Sequence, residues 1–417
     1  MSSREIHVIV VGGSWAGITA VHELIDLSHV TYPRLHITLV EQRTHYFHKT
    51  GAIRGLVDQK YADKMFLSYQ NLFLDGSGVT NPFHRFVCAK LAHVFEHFIE
   101  LEGGTRMFYD YLIIATGSTY TSLPVTQSAD EIDCRARYHR MRNAIDAARS
   151  ILFVGGGAVG VGISCEIAEL HPKKCVMLAH ARDRLFNEDL SDSFASNTES
   201  LMRKMGVELI LGETVVSTTA TEDDDDDFST LAHEEWTVKP QTVVTKSGRR
   251  ITCDLVIWTT GSRPNTEFMQ SLSATSDKDS LLVDGDSGHI NVLSTLQLRD
   301  VRCANIFAVG DVNSLSYSEK YATNAMLQAK HAVANIRLLM DECYDYRMKM
   351  SPGLAAETAL RAQLVPYTCT RNKQVVVALG KNKEISNTVM AKLNSWARGA
   401  KRGRRYMLDK AEKLLNC

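Results

Sequence analysis

The stretch HVIVVGGSWAG, His7–Gly17, decides the fold of this 417-residue chain. Its opening part, His7–Val11, is mostly apolar and β-branched, which is typical of a strand buried on both faces. Glycines follow at once, and Ile18–Leu27 then spaces its apolar residues along one helical face. Strand, glycine-rich turn and helix are the first half of a nucleotide-binding βαβ unit. Because Ser14 replaces the second glycine of the G-x-G-x-x-G fingerprint, this copy alone is a weak signal.

The composition excludes several classes of function. Lys and Arg number 47 against 48 Asp and Glu, so no basic field for bulk nucleic-acid binding exists. The nine cysteines form no C-x-x-C or C-x-x-x-x-C pair, which speaks against a metal site, a redox disulfide or a secreted disulfide framework.

Targeting signals are also missing from the sequence pattern. No apolar run approaches the ~18 residues of a membrane span. The first strand begins too early to leave room for a signal or transit peptide, and position 2 is Ser rather than the Gly of N-myristoylation. We therefore expect a reduced, cytoplasmic protein without a metal.

An acid follows the second predicted strand. Leu35–Val40 is apolar and ends at Glu41, where a βαβ unit holds the ribose hydroxyls of an adenosine. The alternative is a surface acid after a strand, and the glycines before it favour the ribose. His45–Arg54 is a loop rich in aromatic and basic residues, in which Lys49 or, preferably, Arg54 lies near phosphate or flavin.

A second copy of the opening unit lies further along the chain. Ile151–Gly160 (ILFVGGGAVG) carries the complete fingerprint. The strand that follows, Cys175–Ala179, ends in His180-Ala181-Arg182 rather than in an acid. Without that carboxylate, and with Arg182 and Lys173-Lys174 nearby, the sequence favours NADPH or tolerance of both nucleotides. The alternative is that these bases are solvated and uninformative.

Two strands end in Thr-Gly, and one ends in Gly-Asp. Tyr109–Ala115 leads into ATGS, and Leu255–Thr259 leads into TTGSRPN; such endings present backbone N–H groups to a nucleotide. Asn305–Asp311 (NIFAVGD) precedes a long predicted helix, Tyr321–Leu339. We interpret Asp311 as a ligand of a ribityl hydroxyl or phosphate, with an N-cap as the alternative.

The remaining stretches are less specific. Further predicted strands are Phe86–His93, Val94–Glu100, Val207–Leu211, Thr237–Val244 and Gln374–Leu379. Glu222–Asp227 is an acidic run that predicts a solvated loop, and Met340–Gln363 predicts a helical insertion. Lys392–Lys413 carries eight Lys or Arg against two acids, with aromatic and apolar residues interleaved. This tail is either a basic amphipathic helix on an anionic membrane surface or a terminal helix docked on the body.

Together these motifs resemble those of the two-dinucleotide-binding-domain flavoproteins of the glutathione-reductase fold. Within that group the chain is most similar to the apoptosis-inducing-factor-like and ferroptosis-suppressor-type NAD(P)H:quinone oxidoreductases. The resemblance runs from His7 to about Ile385. It rests on GAIRG at Gly51–Gly55, YDYLIIATGS at Tyr109–Ser118, VGGGAVGV at Val154–Val161 and VALGKN at Val377–Asn382.

The resemblance implies an α/β fold with two Rossmann-like domains of the three-layer ββα type and a small C-terminal α+β region. The implied FAD-binding domain comprises residues 1–122 and 261–339, the NAD(P)H-binding domain residues 123–260, and the C-terminal region with the basic tail residues 340–417.

The resemblance also implies the binding residues. Those for FAD are Gly12, Gly13, Ser14, Ala16, Gly17, Glu41, Gln42, Arg54, Val87, Ala115, Thr116, Gly117, Gly310 and Asp311, with Lys320 and Tyr321 as flavin neighbours. Those for NADPH or NADH are Gly155, Gly157, Val159, Gly160, His180, Arg182 and Gly261. Gly162 departs from the pattern, because such relatives usually carry a Glu there, in a helix facing the nicotinamide.

The sequence thus predicts an FAD-dependent oxidoreductase that passes a hydride from NAD(P)H to flavin and electrons on to a quinone. Without a cysteine pair near the flavin, we exclude a disulfide acceptor. One alternative is an FAD scaffold resembling apoptosis-inducing factor, with weak redox activity, that binds a partner, a membrane or, less favoured, nucleic acid. Another keeps the enzyme but makes a small iron–sulfur protein the acceptor. An oligomer is left open.

Overall fold

The computed structural model describes residues 5–75, 77–120, 129–188, 190–219, 236–273, 282–315, 320–347, 363–368, 376–380, 384–386 and 407–416. The acidic run at 222–227 lies outside the described residues. So do the greater part of the predicted insertion after Arg347 and the basic tail before residue 407.

The first unit is built on a parallel sheet of five described strands. In spatial order they are Ile306–Ala308, Tyr111–Ile114, Ile6–Val11, Leu35–Glu41 and His84–Cys88. Sheets of this kind are covered on both faces, so their strands are apolar throughout. Helices Trp15–Val30 and Ala322–Arg347 cover one face, and a three-stranded antiparallel meander covers the other. The meander consists of Leu91–Val94, Phe98–Leu101 and Arg106–Phe108.

The strand that opens the chain shows why three layers form. Side chains alternate across a strand. Val8 and Val10 pack into the helical layer, whereas Ile9 and Val11 pack into the meander layer. All four are apolar and buried, so this strand is stable only at the centre of a sandwich.

The second unit repeats this plan. Its parallel sheet contains, in order, Val207–Leu211, Cys175–His180, Ser150–Val154 and Leu255–Trp258. Leu152 and Val154 face an antiparallel meander, and Ile151 and Phe153 face helices. The meander comprises Val215–Thr219, Gln241–Thr245 and Arg250–Cys253, and the helices are Glu131–Ala147, Ala158–Leu170 and Asp192–Lys204. The predicted α/β fold with two Rossmann-like units is therefore confirmed.

Two short antiparallel strands connect the units. The hinge strands, Ser118–Tyr120 and Ser262–Pro264, each follow one of the two Thr-Gly endings. Asn265 links the two hinge strands. Its side-chain amide donates to the Thr116 carbonyl at 2.9 Å and accepts from the Thr119 hydroxyl at 2.7 Å.

Shorter elements complete the chain. These are the strand pairs His45–Phe47 with Phe66–Ser68 and Val376–Ala378 with Glu384–Ser386, the short helices Ala52–Gly55, Gln59–Ala62 and Gln270–Ser273, and the 3₁₀ turns Lys49–Gly51, Glu267–Met269, Val301–Cys303 and Gly310–Val312. The last described helix is Leu408–Leu414.

The described end of the basic tail packs on the first unit. Leu408, Ala411 and Leu415 are buried, and the side-chain amide of Asn416 donates to the Asn71 carbonyl at 3.0 Å. The apolar face of this helix therefore contacts protein. This part of the tail corresponds to the docked alternative.

Four predicted elements were wrong in extent. Val94–Glu100 is not one strand, because the chain turns after Val94 and the next strand begins at Phe98. Phe86–His93 is not one strand, because the chain leaves the five-stranded sheet at Cys88 and begins the meander at Leu91. In place of Thr237–Val244, the strand starts at Gln241, after Pro240, which has no N–H for a ladder. The helix predicted to end at Leu339 continues to Arg347.

Candidate functional site

The first glycine loop, Gly12–Gly17, forms a tight turn against the Thr-Gly strand. Gly12 has φ +100°, and a Cβ there would overlap the carbonyl oxygen of Ala115. A Cβ on Gly17 would overlap the carbonyl oxygen of Gly12, so glycine lets the helix approach the turn. Ser14 is the N-cap of helix Trp15–Val30, and its side chain makes no capping hydrogen bond. The amino end of the helix therefore keeps backbone donors for an anion.

Glu41 is held beside this loop. Its carboxylate accepts from the Gly13 N–H at 2.7 Å and from the Arg43 N–H at 3.1 Å, and the residue is 7% exposed. Val87, on the neighbouring strand, pairs with Val40, and the Cys88 thiol contacts the Gln42 carbonyl. A buried carboxylate with remaining lone pairs at the end of a parallel strand fits a ribose.

Asp311 connects the last strand to the Thr-Gly ending. Ser118 Oγ donates to Asp311 Oδ2 at 2.9 Å, and the Gly310 N–H donates to the side chain of Gln328 at 2.7 Å. Gly310 has φ +79°, and a Cβ on it would lie 3.5 Å from the Cβ of Ala16. The structure thus brings together the first glycine loop, the Thr-Gly ending and Asp311. A glycine cradle with a carboxylate on either side fits FAD.

The two bases of the His45–Arg54 loop occupy different surroundings. Arg54 is 2% exposed and donates to Glu166 Oε1 at 2.5 Å and to the Gly380 carbonyl at 3.1 Å. Lys49 Nζ donates to the Ser118 carbonyl at 3.1 Å, beside Asp311. Lys49 therefore reaches the cradle, while Arg54 joins the two units.

The second glycine loop, Gly155–Gly160, has the same construction as the first. Gly155 has φ +118°, and a Cβ on Gly160 would overlap the Gly155 carbonyl oxygen and lie 2.6 Å from Thr259 Oγ1. Gly157 is the N-cap of helix Ala158–Leu170, and a Cβ there would meet nothing within 4 Å. Gly157 therefore faces open space at the amino end of a helix, where a pyrophosphate fits.

His180 takes the position in the second unit that Glu41 has in the first. Its Nδ1 accepts from the Gly156 N–H at 3.1 Å. Burial lowers the pKa of His180, against the opposing effect of a hydrogen bond with the Phe186 backbone, and the charge of Arg182 lowers it further; the neutral ring is therefore favoured. Arg182 is exposed and donates to the Phe186 carbonyl at 3.3 Å, so it supplies positive charge at this edge.

The suggestion that Lys173-Lys174 assists the nucleotide was wrong for Lys174. Its Nζ donates to the carbonyls of Asp146 and Ala148, at 2.8 and 2.5 Å. Lys174 precedes strand Cys175–His180, whereas the glycine loop lies at the carboxyl end of that strand. Six strand residues span about 20 Å, so the two ends are far apart.

An open cleft joins the second glycine loop to the amino end of helix Ala322–Arg347. It is lined by Tyr120, Gly157, Ala158, Val159, Phe186, Asn187, Leu190, Thr259, Gly261, Lys320 and Tyr321. Lys320 is fixed at its edge, donating to the carbonyls of Asp311 and Asn313. Residues predicted for NAD(P)H and residues predicted beside the flavin therefore line one cavity.

Sequence reasoning missed Glu166 and the packing at Gly162. Glu166 is buried in helix Ala158–Leu170 and pairs with Arg54 across the two units. The signal was an acid between apolar residues in ISCEIAEL. One turn earlier, a Cβ on Gly162 would lie 2.7 Å from Ile53 Cδ1, so a Glu at this position would have to displace the end of the Ile53 side chain.

Potential metal ligands meet at the opposite edge of the first sheet. The ligand atoms of Glu5, His7 and His36 lie within 4.8 Å of one another. The two imidazole rings stack at 4.3 Å with an angle of 24° between their planes. Because a metal lies in the plane of each ligating ring, nearly parallel rings do not present their nitrogens to one ion.

Two Rossmann-type units joined by paired hinge strands, with glycine loops at facing nucleotide sites, define a two-dinucleotide-binding-domain flavoprotein. The chain belongs to the pyridine nucleotide-disulphide oxidoreductase family, whose model matches residues 6–335. The resemblance drawn from the motifs is thereby confirmed. This family uses FAD and NAD(H) or NADP(H), and the chain is an FAD-dependent NAD(P)H oxidoreductase.

Individual relatives agree with this assignment. The chain is 27% identical to apoptosis-inducing factor homolog B of Dictyostelium discoideum over 349 residues, covering 81% of this chain and 82% of the relative. It is 30% identical to ferroptosis suppressor protein 1 of Taeniopygia guttata over 335 residues, covering 79% and 80%.

Solved structures show the same fold. A ferredoxin reductase from Rhodopseudomonas palustris matches with a TM-score of 0.63 at 15% identity, covering 91% of this chain and 81% of that one. A water-forming NADH oxidase from Lactobacillus brevis matches with a TM-score of 0.58 at 19% identity, covering 94% and 77%. No described helix combines the length and apolarity needed to cross a membrane.

Proposed function

We propose that the chain oxidises NAD(P)H, with NADPH accepted at least as well as NADH, and reduces a quinone. FAD occupies the first unit (1–122 and 261–339) and NAD(P)H the second (123–260), on the residues assigned above. When bound, FAD takes a hydride from NAD(P)H and passes two electrons to the acceptor.

The observation that carries the proposal is the single cleft shared by both groups of residues. Gly157 and Gly261 lie in its wall on the nucleotide side, and Lys320 and Tyr321 lie in its wall on the flavin side. A donor held by the helix end at Gly157 would share this cleft with Lys320, which donates to the carbonyl of Asp311 in the FAD cradle. Contiguity of the two sites is what direct hydride transfer requires.

Positive charge lies at the edge of the cleft where it would stabilise a reduced, anionic flavin ring. Helix Ala322–Arg347 begins next to Tyr321, and its amino end carries partial positive charge. The Lys320 ammonium is held at the same edge by two carbonyls. Fixed charges of this kind need no reorganisation during the reaction, so they favour reduction.

The acceptor assignment rests on cysteine placement and on the resemblance. The six cysteines within the described residues, at 88, 134, 165, 175, 253 and 303, form no disulfide with one another. The residues that line the cleft include no cysteine. A small planar acceptor that enters between Tyr120, Tyr321 and Phe186 needs no dithiol relay, which supports a quinone. Peripheral membrane contact through residues 392–406 would bring the enzyme to a lipid-soluble quinone.

The test is an anaerobic titration of the FAD-loaded full chain with NADPH and then with a water-soluble quinone. NADPH should bleach the flavin absorbance, and the quinone should restore it. No bleaching, or bleached flavin that the quinone leaves reduced, contradicts the proposal. A small iron–sulfur protein serves as the competing acceptor in the same titration.

Gly157→Asp supplies a matched variant. The side chain has room, yet its carboxylate repels a pyrophosphate at the helix end, so the NADPH concentration for half-reduction should rise more than ~10-fold. Gly157→Asn, which is neutral and of the same shape, should change it much less. Equal effects of Asp and Asn would mean that no anion binds at this helix.

A further inference from the structure

The Lys49 side chain enters the FAD cradle from a segment that neither glycine loop contains. It starts the turn Lys49–Gly51, and its Nζ donates to the Ser118 carbonyl at 3.1 Å. A Cβ on Gly117 would lie 4.0 Å from this Nζ. The amine therefore lies against the backbone of the Thr-Gly ending.

Two carboxylates, at strand ends on opposite sides of the first glycine loop, act on this amine. Asp311 is joined to Ser118, whose Oγ donates to it at 2.9 Å, and Glu41 lies beside the first glycine loop. The charges of both act on Lys49. In FAD the adenosine ribose and the ribityl chain are separated by the pyrophosphate. If Glu41 binds the ribose and Asp311 binds the ribityl chain, the pyrophosphate lies between these two residues.

The other nearby bases have protein partners of their own. Arg54 pairs with Glu166, Lys320 donates to the carbonyls of Asp311 and Asn313, and Arg43 lies 3.5 Å from the Glu41 carboxylate. The helix end at Ser14 offers N–H groups and only partial charge. Among the described bases, Lys49 is therefore the one that we assign to a doubly charged pyrophosphate in this cradle.

We propose that Lys49 is the counter-ion of the FAD pyrophosphate and that FAD binding is coupled to protonation of its amine. The proposal deepens the proposed function, because it rests on FAD lying in the first unit. It makes Lys49 a binding residue whose charge state sets the affinity for the cofactor.

The pH dependence follows from the surroundings of the amine. Burial, with the charge of Arg43, lowers the pKa of Lys49 to about 8, against the opposing effect of Asp311 and Glu41. A bound pyrophosphate favours the charged amine and raises this pKa in the complex. FAD affinity is therefore full below pH 8 and falls as the pH rises above it, by at most about tenfold per pH unit.

The titratable groups beside Lys49 would not produce the same dependence of FAD affinity on pH. Beside Glu41, burial raises the pKa of the Tyr69 hydroxyl and of the Cys88 thiol, so both titrate further into the alkaline range. Arg43 stays charged throughout. Lys49 is thus the group near the cradle with a pKa at the position of the expected change.

The experiment measures FAD dissociation constants of the full-length apoprotein from about pH 6.5 to about pH 9.5, by quenching of FAD fluorescence. We expect the wild type to lose ~10-fold or more in affinity above pH 8. Lys49→Met should bind FAD at least ~10-fold more weakly at pH 7 and show no such decline. Lys49→Arg, charged at every pH used, should bind FAD well and show no decline in affinity above pH 8. Lys64→Met, which removes an exposed lysine, should follow the wild type.

A second probe identifies the group that is recognised. ADP, which carries a pyrophosphate but no flavin, should compete with FAD and show the same decline above pH 8. Adenosine should show none. A decline seen with FAD and absent with ADP would place the charge at the flavin and overturn the assignment to the pyrophosphate.

The outcomes separate this inference from the proposed function. A chain that takes up no FAD at any pH overturns the proposed function together with the role of Lys49. A chain that binds FAD with equal affinity across the pH range overturns the role of Lys49 alone. If Lys49→Met does not fold, the pH profiles of the wild type and of Lys49→Arg still test whether protonation of Lys49 sets the FAD affinity.

Discussion

The two glycine loops share one backbone plan but differ in the side chain that accepts a hydrogen bond from the loop. In the first unit the Gly13 N–H donates to the Glu41 carboxylate at 2.7 Å. In the second the Gly156 N–H donates to His180 Nδ1 at 3.1 Å. A carboxylate accepts ribose hydroxyls and repels a 2′-phosphate, whereas a neutral imidazole near Arg182 tolerates both. We therefore propose that this single position sets the nucleotide preference of each unit.

The loops also differ in how much space surrounds their middle residue. Gly157 has open space around it, and its backbone is extended, at φ −78° and ψ 178°. Ser14 stands at the equivalent N-cap with φ −90° and ψ −160°. Neither conformation requires glycine. The imperfect fingerprint is therefore compatible with the same turn as the perfect one.

The largest effect is expected where both loops require glycine. Gly17→Ala and Gly160→Ala each drive a Cβ into a backbone carbonyl, which cannot move without opening the turn. We expect each to lower the free energy of unfolding by about 4–5 kcal/mol. Urea denaturation measures this, with Gly157→Ala as the tolerated control. Stable Gly17→Ala protein with normal FAD content would mean that the first loop is looser than the second.

The next effect concerns the contact between the units. Arg54→Met removes the guanidinium that pairs with the buried Glu166 carboxylate, which should cost about 3 kcal/mol. The double variant with Glu166→Leu should recover most of this loss, and unfolding experiments on both measure the coupling. FAD affinity should change less than stability. A loss of FAD affinity without a matching loss of stability would instead support the contact between Arg54 and the cofactor that the sequence predicts.

These contacts separate the features that could be predicted from the sequence from those that could not. The two loops, their helices and the strand endings could be predicted, because each depends on neighbouring residues: glycine, alternating apolar side chains and turn chemistry. The partners of Lys49 and Arg54 could not. Both lie in the same loop, and which one reaches the cradle is decided by Ser118 and Glu166, far away in the chain.

A smaller effect is expected from exchanging the side chain that distinguishes the loops. His180→Glu makes the second unit resemble the first, so its carboxylate should repel a 2′-phosphate. We expect kcat/KM for NADPH to fall about 100-fold relative to that for NADH, or about 2.7 kcal/mol. Steady-state kinetics with both nucleotides measure it. His180→Gln, a neutral acceptor, should shift the ratio much less; an equal shift would assign the preference to Arg182.

The smallest effect is expected from repairing the first fingerprint. Ser14→Gly restores G-x-G-x-x-G, yet the Ser side chain makes no capping hydrogen bond that could be lost. Replacing an N-cap Ser by Gly costs a few tenths of a kcal/mol, so FAD affinity and stability should stay within about threefold and about 0.5 kcal/mol of wild type.

The reverse variant, Gly157→Ser, places a hydroxyl in open space and should be equally mild for NADPH. Fluorescence titration with each nucleotide measures both variants. A tenfold gain in FAD affinity for Ser14→Gly would show that the hydroxyl obstructs the pyrophosphate. The two loops would then differ in how closely a phosphate approaches the backbone, and no longer only in the residue that faces the ribose.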